Sequence, residues 1–144
     1  SISVRPERYS YHMLCDSREF AVNLTTEKLA RATDWCGVRS GRDTDKWKEM
    51  HLTRGKAEKL KFAPVINESP VNLECKVTEI KELGSHHMFL AKVAAVHISE
   101  EYLDGTGRFH LEQAEPIVYS HGSYFALGDA LGKFGYSVRK KQKK

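Results

Sequence analysis

A chain of 144 residues with 40% apolar and 29% charged side chains is sized for one ordinary domain that buries a core without disulfide staples. Five of its 23 cations, Arg139, Lys140, Lys141, Lys143 and Lys144, fall in the last six residues, and without them 18 cations face 19 anions. That balance does not support a basic groove tracking a phosphate backbone, and no apolar run approaches the ~20 residues of a membrane span, so neither nucleic acid nor membrane is expected as a partner. Ile2 and Val4 alternate with Ser1 and Ser3 as inside a half-buried strand. Lacking a methionine at Ser1, the chain reads as beginning in mid-sheet. Pro6 stops the ladder and Ser10 is placed to cap a short helix over 11–17. Residues 20–24 read as a strand, and Thr25 or Thr26 caps a second helix with Leu29, Ala32, Thr33 and Cys36 on its buried stripe.

Gly37 is expected to end that helix in a left-handed conformation, and Asp43 to cap a third short helix carrying Trp47 and Met50. The stretch 56–70 reads as irregular, punctuated by Pro64 and Pro70. From Val71 to about Glu82 strict alternation predicts a strand with one buried and one wet face. Gly84 and Ser85 turn the chain into a second long strand ending at Ile98, apolar on both faces and hence central. Residues 104–107 form a surface turn, residues 116–119 a further strand, and 124–136 is too rich in glycine for a helix. The expected class is α+β, mainly β: an antiparallel barrel-like sheet with short inserted helices. Residues 1–138 make one domain and 139–144 a basic disordered tail. Cys15, Cys36 and Cys75, without a C-x-x-C pair or a secretory segment, read as reduced thiols of a cytoplasmic protein.

No nucleotide-binding glycine motif, zinc-protease motif or nucleophile elbow is present. Two segments have the make-up of anion sites. Ser3, Arg5, Arg8 and Ser10 run from a strand end into a helix start, and Ser40, Gly41, Arg42, Asp43 and Lys46 again combine hydroxyl, cation and helix start, with Trp47 adding an aromatic ring. Guanidinium donors, hydroxyls and helix-terminal amides suit a phosphate dianion; exposed arginines and a capped loop are the plainer alternative. Gly84-Ser85-His86-His87 lies at the hairpin tip, where adjacent histidines point to opposite faces, so no metal site is expected.

Taken in order, Ser1 to Tyr11, Glu19 to Leu24, Cys36 to Asp43, Glu74 to Lys76, Gly84 to His86 and Tyr119 to Gly122 resemble the flavoredoxin branch of the flavin reductase-like family. The resemblance implies an FMN-binding split barrel. It implies FMN with its phosphate near Ser3, Arg5, Arg8 and Ser10, and with Ser40, Arg42 and Lys46 around the phosphate and ribityl chain. In related reductases a Gly-x-His turn lies beside flavin and nicotinamide, which makes His86 the residue expected to steer a hydride donor. It also implies a homodimer, and an amino-terminal strand and Pro-Pro turn preceding the segment that begins at Ser1 and contributing to the flavin pocket.

The activity expected from this resemblance is NAD(P)H-dependent FMN reduction, with electrons passed on to an acceptor. Two alternatives accompany it: a flavoredoxin-type carrier reduced by a redox protein partner, and a binding protein that keeps the fold without redox activity.

Overall fold

In the computed structural model, which describes residues 1–139, the chain opens with β1 (Ile2–Val4), α1 (Ser10–Ser17) and β2 (Glu19–Asn23). A 3₁₀ turn at Glu27–Leu29 runs into α2 (Ala30–Val38), followed by α3 (Lys46–Glu49) and two minimal strands, β3 (Arg54–Gly55) and β4 (Val65–Ile66). Then come β5 (Val71–Leu83) and β6 (His86–Ile98), and the chain closes on β7 (Ile117–Ser120) and β8 (Ser123–Ala126). Of the basic tail expected at 139–144, everything after Arg139 lies outside the described residues.

The main sheet is antiparallel with strand order β1-β6-β5-β2, while β3–β4 and β7–β8 form separate pairs. The long hairpin is β5 and β6, turned at Gly84 with φ +71°, a conformation that an L side chain resists. Register shifts at Glu74/Cys75 and Val77/Glu79 bend it, and the sheet curls into half a barrel, the expected mainly-β split-barrel architecture. β6 is central, as expected, between β1 and β5. The 116–119 strand forms as β7 but pairs only with β8 and leaves the main sheet alone.

The core gathers Phe20, Cys75, Val77 and Phe89, with Ile2, Val4, Tyr11 and Leu14 packed against it. The opposite face of β5 is wet at Lys76 and Thr78, as the alternation predicts, but not at its start. Asn72 and Glu74 are buried there, Glu74 completely, because the 56–70 segment folds over them. Six consecutive backbone amides meet two carboxylates: those of Glu58, Lys59 and Leu60 donate to Glu74, and those of Lys61, Phe62 and Ala63 donate to Glu19. His97 Nε2 lies 2.5 Å from Glu74 Oε1 on the same side. The segment thus lacks regular structure yet satisfies its polar groups through side chains.

Four helix ends differ from the sequence pattern. α1 starts from Tyr9 in the α region, and Ser10 is its first helical residue, without a capping bond. The turn Arg5–Arg8, closed by Arg8 N–H on Arg5 O at 3.0 Å, already aims the chain into the helix. Thr26 likewise makes no cap bond. α2 continues through Gly37 and stops when Arg39 turns extended, so no left-handed residue is used. Asp45, not Asp43, caps α3, accepting from the N–H groups of Trp47 and Lys48. Among the described residues no helix is long and apolar enough to cross a membrane.

Candidate functional site

The turn entering α1, the carboxyl end of α2 and the loop leading into α3 enclose a cleft of about 870 Å³, within the ~300–1,000 Å³ typical of small-molecule sites. Local hydrogen bonds build its walls. The Ser40 hydroxyl accepts from Arg42 N–H at 3.1 Å while Ser40 O accepts from Thr44 Oγ1 at 2.9 Å. Asp45 Oδ1 then fixes the start of α3, and Lys46, the first residue of that helix, reaches back so that its ammonium donates to Cys36 O at 2.5 Å. The loop is therefore tied to both flanking helices.

Five cations line the cleft, Arg8, Arg39, Arg42, Lys46 and Arg54, against the carboxylates of Asp43 and Asp45. Two guanidiniums rest on rings, Arg42 over Tyr9 at 5.5 Å and Arg54 over Trp47 at 5.2 Å, which holds planar donors in place while leaving their N–H edges free. Cys36 also lines the cleft. Burial raises its thiol pKa, and the opposing pull of Lys46 does not reverse the shift, so it stays a neutral thiol.

Of the residues singled out from sequence, Arg8, Ser10, Ser40, Arg42 and Lys46 come together in this cleft. Ser3, Arg5 and His86 do not line it. Ser3 faces solvent opposite Met88 of β6, Arg5 pairs with Glu7 at 3.5 Å, and exposed His86 sits at the hairpin tip with Nδ1 3.0 Å from Ser85 Oγ. Arg39 and Arg54 join the lining without having been singled out. Arg54 is delivered by the β3–β4 pair, whose two-residue strands leave no periodic signal. Among the described residues no cluster of histidine, cysteine or carboxylate side chains is arranged for a metal ion.

A family model, the flavin reductase like domain, matches residues 1–128. The chain belongs to this family. A flavoredoxin from Methanosarcina acetivorans superposes with a TM-score of 0.82 at 29% identity, covering 96% of this chain and 75% of that one. The flavoredoxin of Desulfovibrio vulgaris (Miyazaki F) superposes at 0.84 with 22% identity, covering 94% and 73%. An uncharacterized protein of Pyrococcus abyssi is 29% identical over 104 residues, 72% of this chain and 59% of that protein. The flavin reductase-like chain thus spans under two thirds of that relative.

The donor set fits the phosphate end of a flavin nucleotide. Guanidiniums give planar two-point contacts and Lys46 a point charge with N–H groups left after its bond to Cys36. The Ser10 hydroxyl, spared any capping duty, and that of Ser40, which accepts from Arg42 N–H, both keep a proton to donate.

Proposed function

We propose that this flavin reductase-like protein is an FMN-binding oxidoreductase that takes electrons from NAD(P)H and passes them to an acceptor. The observation that carries the reading is the cleft itself, where cations, free hydroxyls and a helix start converge beside two aromatic rings in a chain of this family. Bound FMN supplies the redox chemistry, accepting a hydride and releasing electrons. The chain's own part is grip and orientation. Arg8, Arg42 and Lys46 neutralise the phosphate, Ser10 and Ser40 donate to its oxygens, and Arg8 is the chief cation of the first segment. His86, at the hairpin tip, is the proposed group that orients the nicotinamide.

The test is a titration with FMN followed by anaerobic stopped-flow mixing with NADH and NADPH. The expected result is a yellow complex whose absorbance bleaches, with FMN affinity falling at least about tenfold when Arg42→Ala and Lys46→Ala are combined, the loss of ~1.4 kcal/mol or more expected from removing two charge-assisted contacts. A protein that gains no flavin absorbance would be a binding protein without redox activity. The likeness to a flavoredoxin at 29% identity favours a second reading, an electron carrier; slow bleaching by both nicotinamides with fast reduction by ferredoxin would select it.

We further propose a homodimer in the cytoplasm. The segment after β8 leaves Leu131 94% and Phe134 fully exposed, and Val93 and Val96 of β6 are about half exposed. Two apolar surfaces on one chain are what a self-complementary pair of copies covers. Cys15, Cys36 and Cys75 are unpaired thiols, as suits a reducing compartment.

A further inference from the structure

Tyr11 follows Ser10 on α1 but points away from the cleft, into the sheet. Its hydroxyl lies 2.7 Å from His87 Nδ1 of β6, and its ring stands edge-on to His87 and to the fully buried Phe89, with centroids 5.3 and 5.8 Å apart. His87 is itself fixed on both sides, opposite Val4 of β1 and Glu82 of β5. Among the described residues the Tyr11–His87 bond is the only side-chain hydrogen bond between α1 and the β5–β6 hairpin. The Cys15 thiol, one turn along, followed by burial, raises the phenol pKa, so the hydroxyl keeps its proton.

Leu14 and Cys15 also hold α1 on the core, but apolar packing has no preferred direction, and an eight-residue helix resting on it alone can turn or slide. A hydrogen bond weakens steeply with misalignment and therefore sets rotation as well as distance. The three residues before Tyr11, namely Arg8, Tyr9 and Ser10, form one wall of the cleft. The residue before His87 is His86, at the hairpin tip.

We infer that Tyr11 and His87 are positioning residues for the phosphate grip. Their hydrogen bond locks the start of α1 against the hairpin, so that the Arg8 guanidinium and the Ser10 hydroxyl share one cleft with Arg42 and Lys46, and it ties that wall to the strand carrying His86. The inference rests on the FMN reading above. It assigns no contact with the ligand to either residue. Its effect is selective for the phosphate: loosening α1 displaces the groups that grip the phosphate and leaves whatever holds the ring system in place, and a displacement of about 1 Å is enough to matter at such a site.

The experiment measures dissociation constants of the whole protein for FMN and for riboflavin, which lacks the phosphate, by flavin fluorescence. Tyr11→Phe removes one oxygen and keeps the ring on Phe89. It is expected to weaken FMN about tenfold while changing riboflavin less than about twofold. His87→Leu should do the same, and His87→Asn, whose amide oxygen takes the place of Nδ1, should restore the wild-type ratio to within about twofold. If Tyr11→Phe fails to fold by circular dichroism, the two His87 variants decide the matter between them. Equal weakening of both flavins, or no weakening of either, overturns the inference. Combining Arg42→Ala with Lys46→Ala separates the two levels: if that pair leaves the FMN to riboflavin ratio unchanged, the phosphate cleft itself is wrong, whereas a collapsed ratio there with an intact ratio in Tyr11→Phe and His87→Leu sinks only the positioning role.

Discussion

Replacing Glu74 by Gln removes one charge and converts one acceptor oxygen into a donor, in a side chain with no solvent exposure. One carboxylate oxygen accepts from Glu58 N–H at 2.7 Å and faces His97 Nε2 at 2.5 Å; the other accepts from Lys59 and Leu60 N–H at 2.6 and 3.1 Å. Either orientation of a glutamine amide sets its NH₂ against at least one backbone N–H. One charge-assisted bond is worth about 1.5–3 kcal/mol, and a buried donor left unmatched costs a further ~1–3 kcal/mol. The expected loss is about 3 kcal/mol, which for a chain of this size lowers Tm by roughly 6–12 °C. Urea unfolding followed by circular dichroism measures it, with exposed Glu79→Gln as the control. The pH dependence gives a second reading. Burial, the largest influence, pushes the Glu74 carboxyl up, but the Glu58 and Lys59 amides with His97 outweigh it, and the folded group titrates below its ordinary value. Its contribution is therefore complete above the ordinary carboxylate range and disappears as pH falls through the lower folded value. Glu74→Gln should flatten that part of the acid limb. A loss under about 0.5 kcal/mol, the range of ordinary surface changes, would show that the six amides do not depend on this carboxylate.

A β-carbon at Gly55 would stand 2.1 Å from Asn67 Oδ1 and 2.7 Å from Val65 Cγ2, so Gly55→Ala should cost about 1–3 kcal/mol through overpacking, read as a lower urea midpoint. If Leu131 and Phe134 cover a second copy, Leu131→Asp with Phe134→Asp should shift the protein from dimer to monomer in light scattering after size-exclusion chromatography, and an unchanged mass would refute the segment after β8 as the contact. His110 lies 2.9 Å from Asp104 and 3.0 Å from Glu112, and these hydrogen bonds, Asp104's first, raise its pKa. The stabilisation it brings is thus complete below the ordinary histidine value and fades as pH rises through the folded one. The Tm difference between wild type and His110→Ala should accordingly be largest below the ordinary histidine value of about 6.5 and shrink as pH rises above it.

The long hairpin was legible because its signals are local. Alternation at Val71, Leu73, Cys75 and Val77 has the period of a strand, and Gly84 supplies the conformation the turn demands. The same locality explains why five cleft residues could be singled out: hydroxyls and cations lie within a few positions of one another at each helix start. Helix ends were harder to read. The turn Arg5–Arg8 and the extended Arg39 do the work that spacing assigned to caps at Ser10 and Gly37, and several side chains near a helix end compete for one role.

By itself, the sequence determined the class of fold, the central hairpin and the residue types able to hold a phosphate, since each depends on composition or on neighbours along the chain. Only the tertiary structure decided that Arg8 enters the cleft while Arg5 pairs outside it, that Arg54 joins from a separate pair of strands, and that Asn72 and Glu74 on the polar face of β5 are buried. Those outcomes rest on groups far apart in sequence: the amide of Ala63 and the carboxylate of Glu19 are separated by 44 residues. Hydrophobic alternation says which side chains avoid water, but a buried carboxylate is set by the backbone that folds over to meet it, and nothing in its immediate neighbours records that approach.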